Sequence, residues 1–278
     1  MNLIKSYLFV PANNPRFLKK SLALDGLDYR VLDLEDSISA SDIDQAINLV
    51  QRHSVQETDW VRMPITGQYQ ALASRLFDAG LQQVVLPKAT GKKQVGEVLR
   101  GLHEISEDIR VIILIENALM FVQLEQVLRE WNRSIFGIGL GSHDFSATTK
   151  IRHAASELLP LRLQISVMAR AYGVTPIDIA SMNISDEPSY KAEIQSGYDL
   201  GYRAKFVLHP FQLRLLNGYS FFTKEEVADA IEVITLFDQK EPAKEVVVKH
   251  KGTIYEKPHI EQLNNIKAWG EQFYGTDR

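Results

Sequence analysis

Short apolar runs alternate along the chain with longer amphipathic segments. Most of these runs are continuously apolar, which is typical of parallel strands buried on both faces. Eight of them have the length of a strand, and they cover residues 6–10, 29–34, 60–63, 83–86, 110–115, 134–138, 174–179 and 205–208. Eight such strands separated by helices predict an α/β fold of the (β/α)₈ barrel type.

The segments between these runs carry apolar residues at helical spacing, which predicts helices over residues 16–24, 70–79, 93–105, 119–129 and 160–172. Gly80, Gly173 and Gly201 stand where a helix would end before the next strand, a position that favours glycine. No linker rich in glycine, serine or proline divides this region. We therefore expect residues 1–222 to form one catalytic barrel domain.

The pattern changes after Pro210. The sequence Thr223-Lys-Glu-Glu226 has the spacing of a capping box and predicts a helix that runs to about Gln239. A strand-like stretch at 246–248 and a helix at 260–273 follow it. Residues 223–278 are thus expected to form a C-terminal helical extension. It is either an arm packed on the outside of the barrel, which the pattern alone favours, or a lid over its mouth.

Composition excludes several classes of function. The chain of 278 residues has no cysteine, so it has no disulfide, no thiolate metal site and no cysteine nucleophile. Its net charge of −4 offers no basic excess for binding nucleic acid or a membrane surface. The N-terminus lacks the apolar stretch of a signal peptide, and every apolar run is too short to span a membrane. We expect a cytoplasmic protein.

Ionisable side chains follow most of the predicted strands. In a (β/α)₈ barrel the C-terminal ends of the strands face one shared pocket. Burying so many charges without partners would be costly, so they predict a mutually neutralising group around a metal ion and an anionic substrate. In chain order, these are Asp33, Glu35 and Asp36, then Arg62, Lys88, Glu116, Asp144, Asp178 and His209.

Glu116 and Asp144 follow the neighbouring strands five and six and are the candidate metal ligands. Two carboxylates completed by water and substrate oxygens form the coordination shell that Mg²⁺ prefers, although Mn²⁺ would also fit. The alternative is a pair of surface carboxylates stabilised near helix N-termini. The pairing of the two residues, with the glycine-rich approach Gly137-Ile-Gly-Leu-Gly141, favours the metal ion.

Arg62 is the candidate for holding a substrate carboxylate, because its planar guanidinium makes bidentate contacts that lysine cannot make. The alternative is a structural salt bridge to Asp33, Glu35 and Asp36. The two roles are compatible, since the acids could orient the guanidinium. We expect Glu35 and Asp36 to support catalysis by holding Arg62 and metal-bound water.

Several short motifs occur in a fixed order along nearly the whole chain. Ser6-Tyr-Leu-Phe-Val-Pro-Ala with Asn14-Pro-Arg-Phe comes first, and Leu32-Asp-Leu-Glu-Asp-Ser37 follows. The later motifs are Val61-Arg62, Val85-Leu-Pro-Lys88, Leu114-Ile-Glu116, Ile177-Asp178 and Leu208-His-Pro-Phe-Gln212. Together they resemble the HpcH/HpaI aldolase/citrate lyase beta-subunit family. No single motif is decisive, but this many in register are specific.

The resemblance implies a Mg²⁺-dependent carbon–carbon lyase. Its substrate would be a 3-hydroxy-acid thioester, such as a citramalyl-CoA, malyl-CoA or citryl unit, cleaved into a 2-keto acid and an acyl-thioester. Glu116 and Asp144 would be the metal ligands, and Arg62 would hold the carboxylate of the keto acid. Arg16 and Lys19 would bind the phosphates of coenzyme A, although a solvated helix face explains these two equally well.

In this family the C-terminal segment often reaches over the barrel of a neighbouring subunit with a catalytic acid. Thr253-Ile-Tyr-Glu-Lys-Pro258 aligns with that segment and has Glu256 where aspartate is usual. The resemblance therefore implies a homo-oligomer, a trimer being favoured, in which Glu256 protonates the thioester enolate. His143 is a second departure, because an acid usually precedes the metal-binding aspartate. A lone histidine is more often structural, so His143 and His209 remain weak candidates.

Three other functions stay open on the sequence. The chain could be an acyl-CoA thioesterase, an aldolase on free 2-keto acids or a non-catalytic assembly subunit. The sequence does not select the hydroxy-acyl-thioester, nor does it decide between coenzyme A and an acyl carrier protein.

Overall fold

The computed structural model describes residues 3–52, 55–65, 67–239 and 247–275. Within these residues, eight parallel strands form one sheet in the order β7-β6-β5-β4-β3-β2-β1-β8. A backbone bridge between Asp178 and Lys205 joins the end of β7 to β8 and brings the sheet round into a barrel. The strands are β1 (Lys5–Pro11), β2 (Tyr29–Asp33), β3 (Asp59–Arg62), β4 (Gln83–Leu86), β5 (Arg110–Ile115), β6 (Ile135–Leu140), β7 (Thr175–Ile177) and β8 (Ala204–Val207). The predicted (β/α)₈ class is confirmed.

Helices connect these strands. They are α1 (Pro15–Ser21), α2 (Ile43–Arg52), α3 (Tyr69–Asp78), α4 (Lys92–His103), α5 (Ala118–Val122), α6 (Leu124–Trp131), α7 (Ser142–Thr149), α8 (Ala155–Ala171), α9 (Glu187–Asp199) and α10 (Pro210–Asn217). The helix predicted over 119–129 is two helices that meet at Gln123, whose side-chain oxygen accepts the N–H of Lys92. The helix predicted from residue 160 is α8, which begins at Ala155 and contains Pro160. One missing backbone N–H near its beginning does not end a helix of 17 residues.

The inside of the barrel is filled by side chains from alternate positions of its strands. Three of these side chains are large and aromatic, and Gly139 on β6 provides the space for one of them, because a Cβ atom there would collide with the ring of Phe206. The core residues are Tyr7, Val31, Trp60, Val85, Ile112, Leu114, Ile177, Ala204 and Phe206. This filled centre leaves the strand ends as the place for a site.

Leu3 and the described residues from 218 onwards belong to a second compact unit, and the described residues between 4 and 217 form the barrel unit. The second unit contains α11 (Lys224–Gln239), an antiparallel hairpin of β9 (Val248–His250) and β10 (Thr253–Tyr255), and α12 (Lys257–Tyr274). The core of this unit consists of Ala230, Val233, Ile234, Phe237, Val248 and Leu263.

The predicted capping box of α11 is confirmed. Thr223 Oγ1 accepts the N–H of Glu226 at 3.1 Å, and Glu226 Oε2 accepts the N–H of Thr223 at 2.7 Å. Part of the strand predicted over 246–248 lies outside the described residues. The division into domains at 222 and 223 stays a prediction about folding units. None of the helices in the described ranges is long and apolar enough to cross a membrane.

Candidate active site

A cavity of about 360 Å³ lies at the C-terminal ends of the barrel strands. This is the end at which barrel enzymes carry their active sites. Residues from seven of the eight strand ends line the cavity, and those with functional side chains include Asp33, Asp36, Arg62, Glu116, His143 and Asp144. The structure therefore brings together most of the site residues that were predicted from the strand ends.

Arg62, the last residue of β3, forms a two-point ion pair with Asp33, the last residue of β2. Arg62 Nε donates to Asp33 Oδ1 and Nη2 donates to Oδ2, both at 2.7 Å. Nη1 donates to Asp36 Oδ2 at 3.0 Å and lies 3.4 Å from Glu35 Oε2. Burial works to lower the pKa of Arg62, but the carboxylates, Asp33 above all, raise it above its usual value. Arg62 is therefore a fixed cation, oriented by acids as the sequence suggested.

Lys88, which follows β4, ties the acidic loop to the strand beyond it. Its Nζ pairs with Glu35 Oε1 and with Asp36 Oδ1, the latter at 2.7 Å. Its backbone N–H donates to Glu116 Oε2, from a left-handed conformation with φ of 51° that few residues other than glycine adopt. The sequence places Lys88 at a strand end, but this bridging role was not predicted from it. The available signal was a lysine directly after a buried strand and a proline.

Glu116, which follows β5, is almost completely buried. Gly141 makes this possible, because a Cβ atom at position 141 would collide with the Glu116 side chain. Burial, aided by the nearby charge of Asp144, raises the pKa of Glu116 to about 8. Asp144 lies in the first turn of α7 and lines the same cavity. Among the described residues, neither carboxylate forms an ion pair with a lysine or arginine.

The donor set fits a hard divalent cation. Two carboxylates without cationic partners face one cavity, and oxygen is the ligand atom that Mg²⁺ prefers. Glu35 adds a third acceptor, because its Oε2 is buried and has no hydrogen-bond partner among the described residues. Beside its ion pair with Arg62 Nη1 at 3.4 Å, this oxygen is suited to accept a hydrogen bond from a water molecule on the cation.

His143 forms one wall of the cavity beside Asp144. Its ring stacks on the ring of His153 with 3.8 Å between centroids, and His153 Nε2 lies 3.0 Å from Ser142 Oγ. Burial, with the neighbouring His153, lowers the pKa of His143. His143 is therefore mostly neutral at pH 7 and contributes an aromatic surface rather than a charge.

Asp178 and His209 follow strands seven and eight but do not line this cavity. Asp178 is buried in a separate ion network, in which Arg162 donates to both of its oxygens at 2.9 Å and Lys205 Nζ lies 3.6 Å away. His209 Nδ1 accepts the N–H of Phe211 at the start of α10. Both side chains therefore serve the structure of the barrel, and the expectation that all strand-end charges share one site was wrong for them.

Three predicted site residues, Arg16, Lys19 and Glu256, belong to helix α1 or to the C-terminal unit. Arg16 and Lys19 are exposed on the short helix α1, which follows β1. Glu256 belongs to the C-terminal unit, where it is exposed and precedes the first residue of α12. Its backbone N–H donates to His259 Nδ1 at 2.9 Å. Their expected roles stay predictions.

Comparison with known proteins decides the family. The model of the HpcH/HpaI aldolase/citrate lyase family matches residues 5–210, which is most of the chain. The chain belongs to this family. This confirms the resemblance found in the sequence motifs.

Relatives with similar sequences match this chain over nearly its whole length. A citrate lyase subunit beta from Leuconostoc mesenteroides subsp. cremoris is 25% identical, covering 95% of this chain and 92% of that protein. A (3S)-malyl-CoA thioesterase from Cereibacter sphaeroides is 24% identical, covering 96% and 94%. A mitochondrial citramalyl-CoA lyase from Rattus norvegicus is 22% identical, covering 94% and 84%.

Among solved structures, a citrate lyase beta subunit from M. tuberculosis, complexed with oxaloacetate and magnesium, has a TM-score of 0.66. It is 25% identical, and the match covers 78% of this chain and 98% of that one.

Proposed function

We propose that this chain is a Mg²⁺-dependent lyase that cleaves a 3-hydroxy-acid thioester into a 2-keto acid and an acyl-thioester. The observation that carries the proposal is the shared cavity of Glu116, Asp144 and the oriented cation Arg62. The predicted enzyme class agrees with the family, since the similar citrate lyase subunit and citramalyl-CoA lyase are named as lyases. Citramalyl-CoA, malyl-CoA and citryl thioesters are the candidate substrates.

Glu116 and Asp144 would hold the Mg²⁺ ion, and Glu35 Oε2 would accept a hydrogen bond from its water. The magnesium in the similar M. tuberculosis structure supports this choice of ion. When bound, Mg²⁺ supplies Lewis-acid polarisation of the substrate oxygen that becomes the keto group. Burial of Glu116 makes the deprotonated carboxylate costly on its own, so a divalent partner offsets that cost.

Arg62 would bind the carboxylate of the keto-acid half of the substrate. Asp33 occupies Nε and one N–H of Nη2, so the substrate carboxylate would use the remaining N–H groups of Nη1 and Nη2. Asp33 thereby fixes the guanidinium before the substrate arrives, which lowers the entropic cost of binding. Asp36 would share Nη1 with the substrate.

Cleavage breaks one carbon–carbon bond and involves two proton transfers. The carbon–carbon bond breaks, the hydroxyl gives its proton to water in the cavity as it becomes a keto group, and the electron pair of the broken bond passes to the thioester fragment as an enolate. That enolate needs one proton. We propose Glu256 of a neighbouring subunit as the acid, in a homo-oligomer that is a trimer. Arg16 and Lys19 would contact the phosphates of coenzyme A, and the protein would act in the cytoplasm.

A thioesterase is the second candidate, because the similar Cereibacter sphaeroides protein is named a malyl-CoA thioesterase. The same cavity would then direct water at the thioester carbonyl. The carbon–carbon bond would stay intact, and the products would be the free hydroxy acid and the thiol of coenzyme A.

Product identification separates the two functions. The protein is incubated with citramalyl-, malyl- and citryl-CoA in the presence of MgCl₂, and the products are identified by mass spectrometry. The lyase yields a 2-keto acid and a shorter acyl-CoA. Release of intact hydroxy acid and free coenzyme A would instead establish the thioesterase. No turnover of any of the three would leave the proposal without support and favour an aldolase on free 2-keto acids or an assembly subunit.

A further inference from the structure

A second group of potential metal ligands lies in the C-terminal unit. Asp229 and Glu232 on α11 and His250 on β9 each offer one ligand atom, and these three atoms lie within 4.8 Å of one another. The proposed lyase reaction uses none of these residues. Their arrangement must therefore be explained separately from the barrel site.

The local structure fixes the three side chains toward a common point. Lys251 and Gly252, with φ of 44° and 82°, form the tight left-handed turn of the hairpin directly after His250. Val248 is buried in the core that α11 contributes to, and alternate residues of a strand face the same side, so His250 faces α11 as well. Asp229 and Glu232 are three residues apart on a helix and share one face.

The distances match the coordination of a transition-metal ion. His250 Nε2 lies 3.4 Å from Asp229 Oδ1 and 3.6 Å from Glu232 Oε2. A tetrahedral Zn²⁺ ion with bonds of about 2.0–2.1 Å separates its ligand atoms by about 3.3–3.4 Å. The His250 side chain is only 11% exposed, so the imidazole is held in place before any ion binds.

The net negative charge around the three residues favours binding of a divalent cation. The carboxylates of Glu225 and Asp229 face the ammonium group of Lys251, and that of Glu232 lies beside His250. Lys251 Nζ lies 2.7 Å from Asp229 Oδ1 and 3.6 Å from Glu225 Oε1. The three carboxylates carry three negative charges against the one positive charge of Lys251, and a divalent ion balances the remaining two. Lys251 competes with such an ion for Asp229.

We propose that Asp229, Glu232 and His250 form a binding site for a tetrahedral transition-metal ion, with Zn²⁺ as the first ion to test. Water completes the coordination. A site with one imidazole and two carboxylates suits Zn²⁺, whereas Mg²⁺ prefers oxygen ligands alone. The bound ion ties the β9–β10 hairpin to α11 and so restrains the segment that leads to Glu256. This inference does not depend on the lyase reaction.

The test is Zn²⁺ titration by isothermal calorimetry in a Glu116→Gln/Asp144→Asn background, which removes the carboxylate pair of the barrel. We expect one equivalent of Zn²⁺ to bind. Glu232→Gln should weaken that binding at least about tenfold, because loss of even an indirect supporting contact has that effect at metal sites. The Glu232 side chain is 64% exposed, so this change does not threaten folding. His250→Gln should act in the same way.

Two further variants separate a metal site from a simple ion-pair cluster. Lys251→Met removes the competing ammonium and should tighten Zn²⁺ binding. Asp238→Asn, an exposed change on the same helix away from the cluster, should leave it unchanged. The proposal is overturned if the background variant binds no Zn²⁺, if Glu232→Gln and His250→Gln bind it as Asp238→Asn does, or if Lys251→Met does not tighten binding.

Discussion

Arg62 and Asp33 form a two-point ion pair at the C-terminal ends of β3 and β2, with both hydrogen bonds at 2.7 Å. The same two strands carry a second two-point pair at their beginning, in which Arg30 of β2 binds Asp59 of β3. The two pairs are alike in geometry but differ in place. Only Arg62 and Asp33 line the cavity. We therefore expect substitutions in the two pairs to have different effects, on turnover for Arg62 and Asp33 and on stability for Arg30 and Asp59.

Replacing Asp33 by asparagine removes the charge that orients Arg62 while keeping the size of the side chain. We expect kcat/KM for the thioester substrate to fall by about 10- to 100-fold, as for loss of a contact that orients a ligand-binding group. This effect is measured by steady-state kinetics, using the thioester that product analysis identifies as the substrate. Asp33 also accepts the N–H groups of Glu35 and Ser37, so asparagine is a milder change than alanine.

The matched control is Asp59→Asn, which breaks the buried pair with Arg30 outside the cavity. Breaking such a pair costs about 3–5 kcal/mol of stability. Thermal unfolding should therefore show a lower Tm, with kcat/KM of the remaining folded protein close to that of the wild type. Equal losses of kcat/KM in Asp33→Asn and Asp59→Asn would remove the reason for assigning Arg62 and Asp33 to the site.

Lys88 is expected to position the site without touching the substrate. Lys88→Met leaves the backbone N–H that Glu116 accepts but removes the ammonium from Glu35 and Asp36. With two neighbouring carboxylates left without that cation, we expect kcat to fall by about tenfold or more. Lys88→Arg should recover part of the loss.

Lys92→Met serves as the comparison for Lys88, since Lys92 pairs with Glu130 away from the cavity. It should keep the wild-type kcat. If Lys88→Met also keeps it, the bridge between the acidic loop and Glu116 has no role in the reaction.

Mg²⁺ binding should depend on pH through Glu116. The pKa of this buried carboxyl is raised to about 8, so below about pH 8 a proton must leave before the ion binds. Affinity for Mg²⁺ should therefore rise with pH and level off above about pH 8. Calorimetric titration across this range measures it, and a flat profile would show that Glu116 is not a ligand.

The same raised pKa affects stability without the metal ion. The folded protein holds a proton on Glu116 that the unfolded chain gives up near its ordinary pKa of 4.5. The free energy of unfolding should thus contain a contribution that is present at low pH and is lost as pH rises toward about 8. Added Mg²⁺ should raise Tm most at the alkaline end.

Glu256 gives a test of assembly. If the acid comes from a neighbouring subunit, Glu256→Ala should stop turnover and leave Mg²⁺ and keto-acid binding intact. Mixing Glu256→Ala chains with Arg62→Ala chains should then restore part of the activity, because one barrel can combine its own Arg62 with a neighbour's Glu256. Absence of rescue, or a fully active monomer by light scattering, would contradict the shared site.

The strands could be predicted well because burial leaves a simple pattern. β4 and β5 have the predicted bounds, and the other barrel strands differ by at most two residues at either end. Continuously apolar segments such as residues 111–115 of β5 produce this accuracy. Helices α2, α7, α9 and α10 were not predicted.

The position of the candidate site in the barrel could be predicted from the sequence, but its contacts could not. Strand order placed Glu116, Asp144 and Arg62 at one end of the barrel. Strand order could not show whether the side chain of Asp178 faces the cavity. The final residues of a short strand are not held to one face by alternation. The bridge from Lys88 depends on a left-handed backbone that no motif specifies. Tertiary packing decides both.

Release of keto acid from the accepted thioester, measured with and without Mg²⁺, tests the central claim most directly. The wild type should lose activity in EDTA and regain it with added Mg²⁺. Asp144→Asn should stay folded by thermal unfolding and release keto acid far more slowly, by about 100-fold or more, since the loss of a metal ligand costs at least as much as the loss of its supporting contacts. Keto-acid release that persists in EDTA, or at the wild-type rate in Asp144→Asn, would contradict a Mg²⁺-dependent lyase at this site.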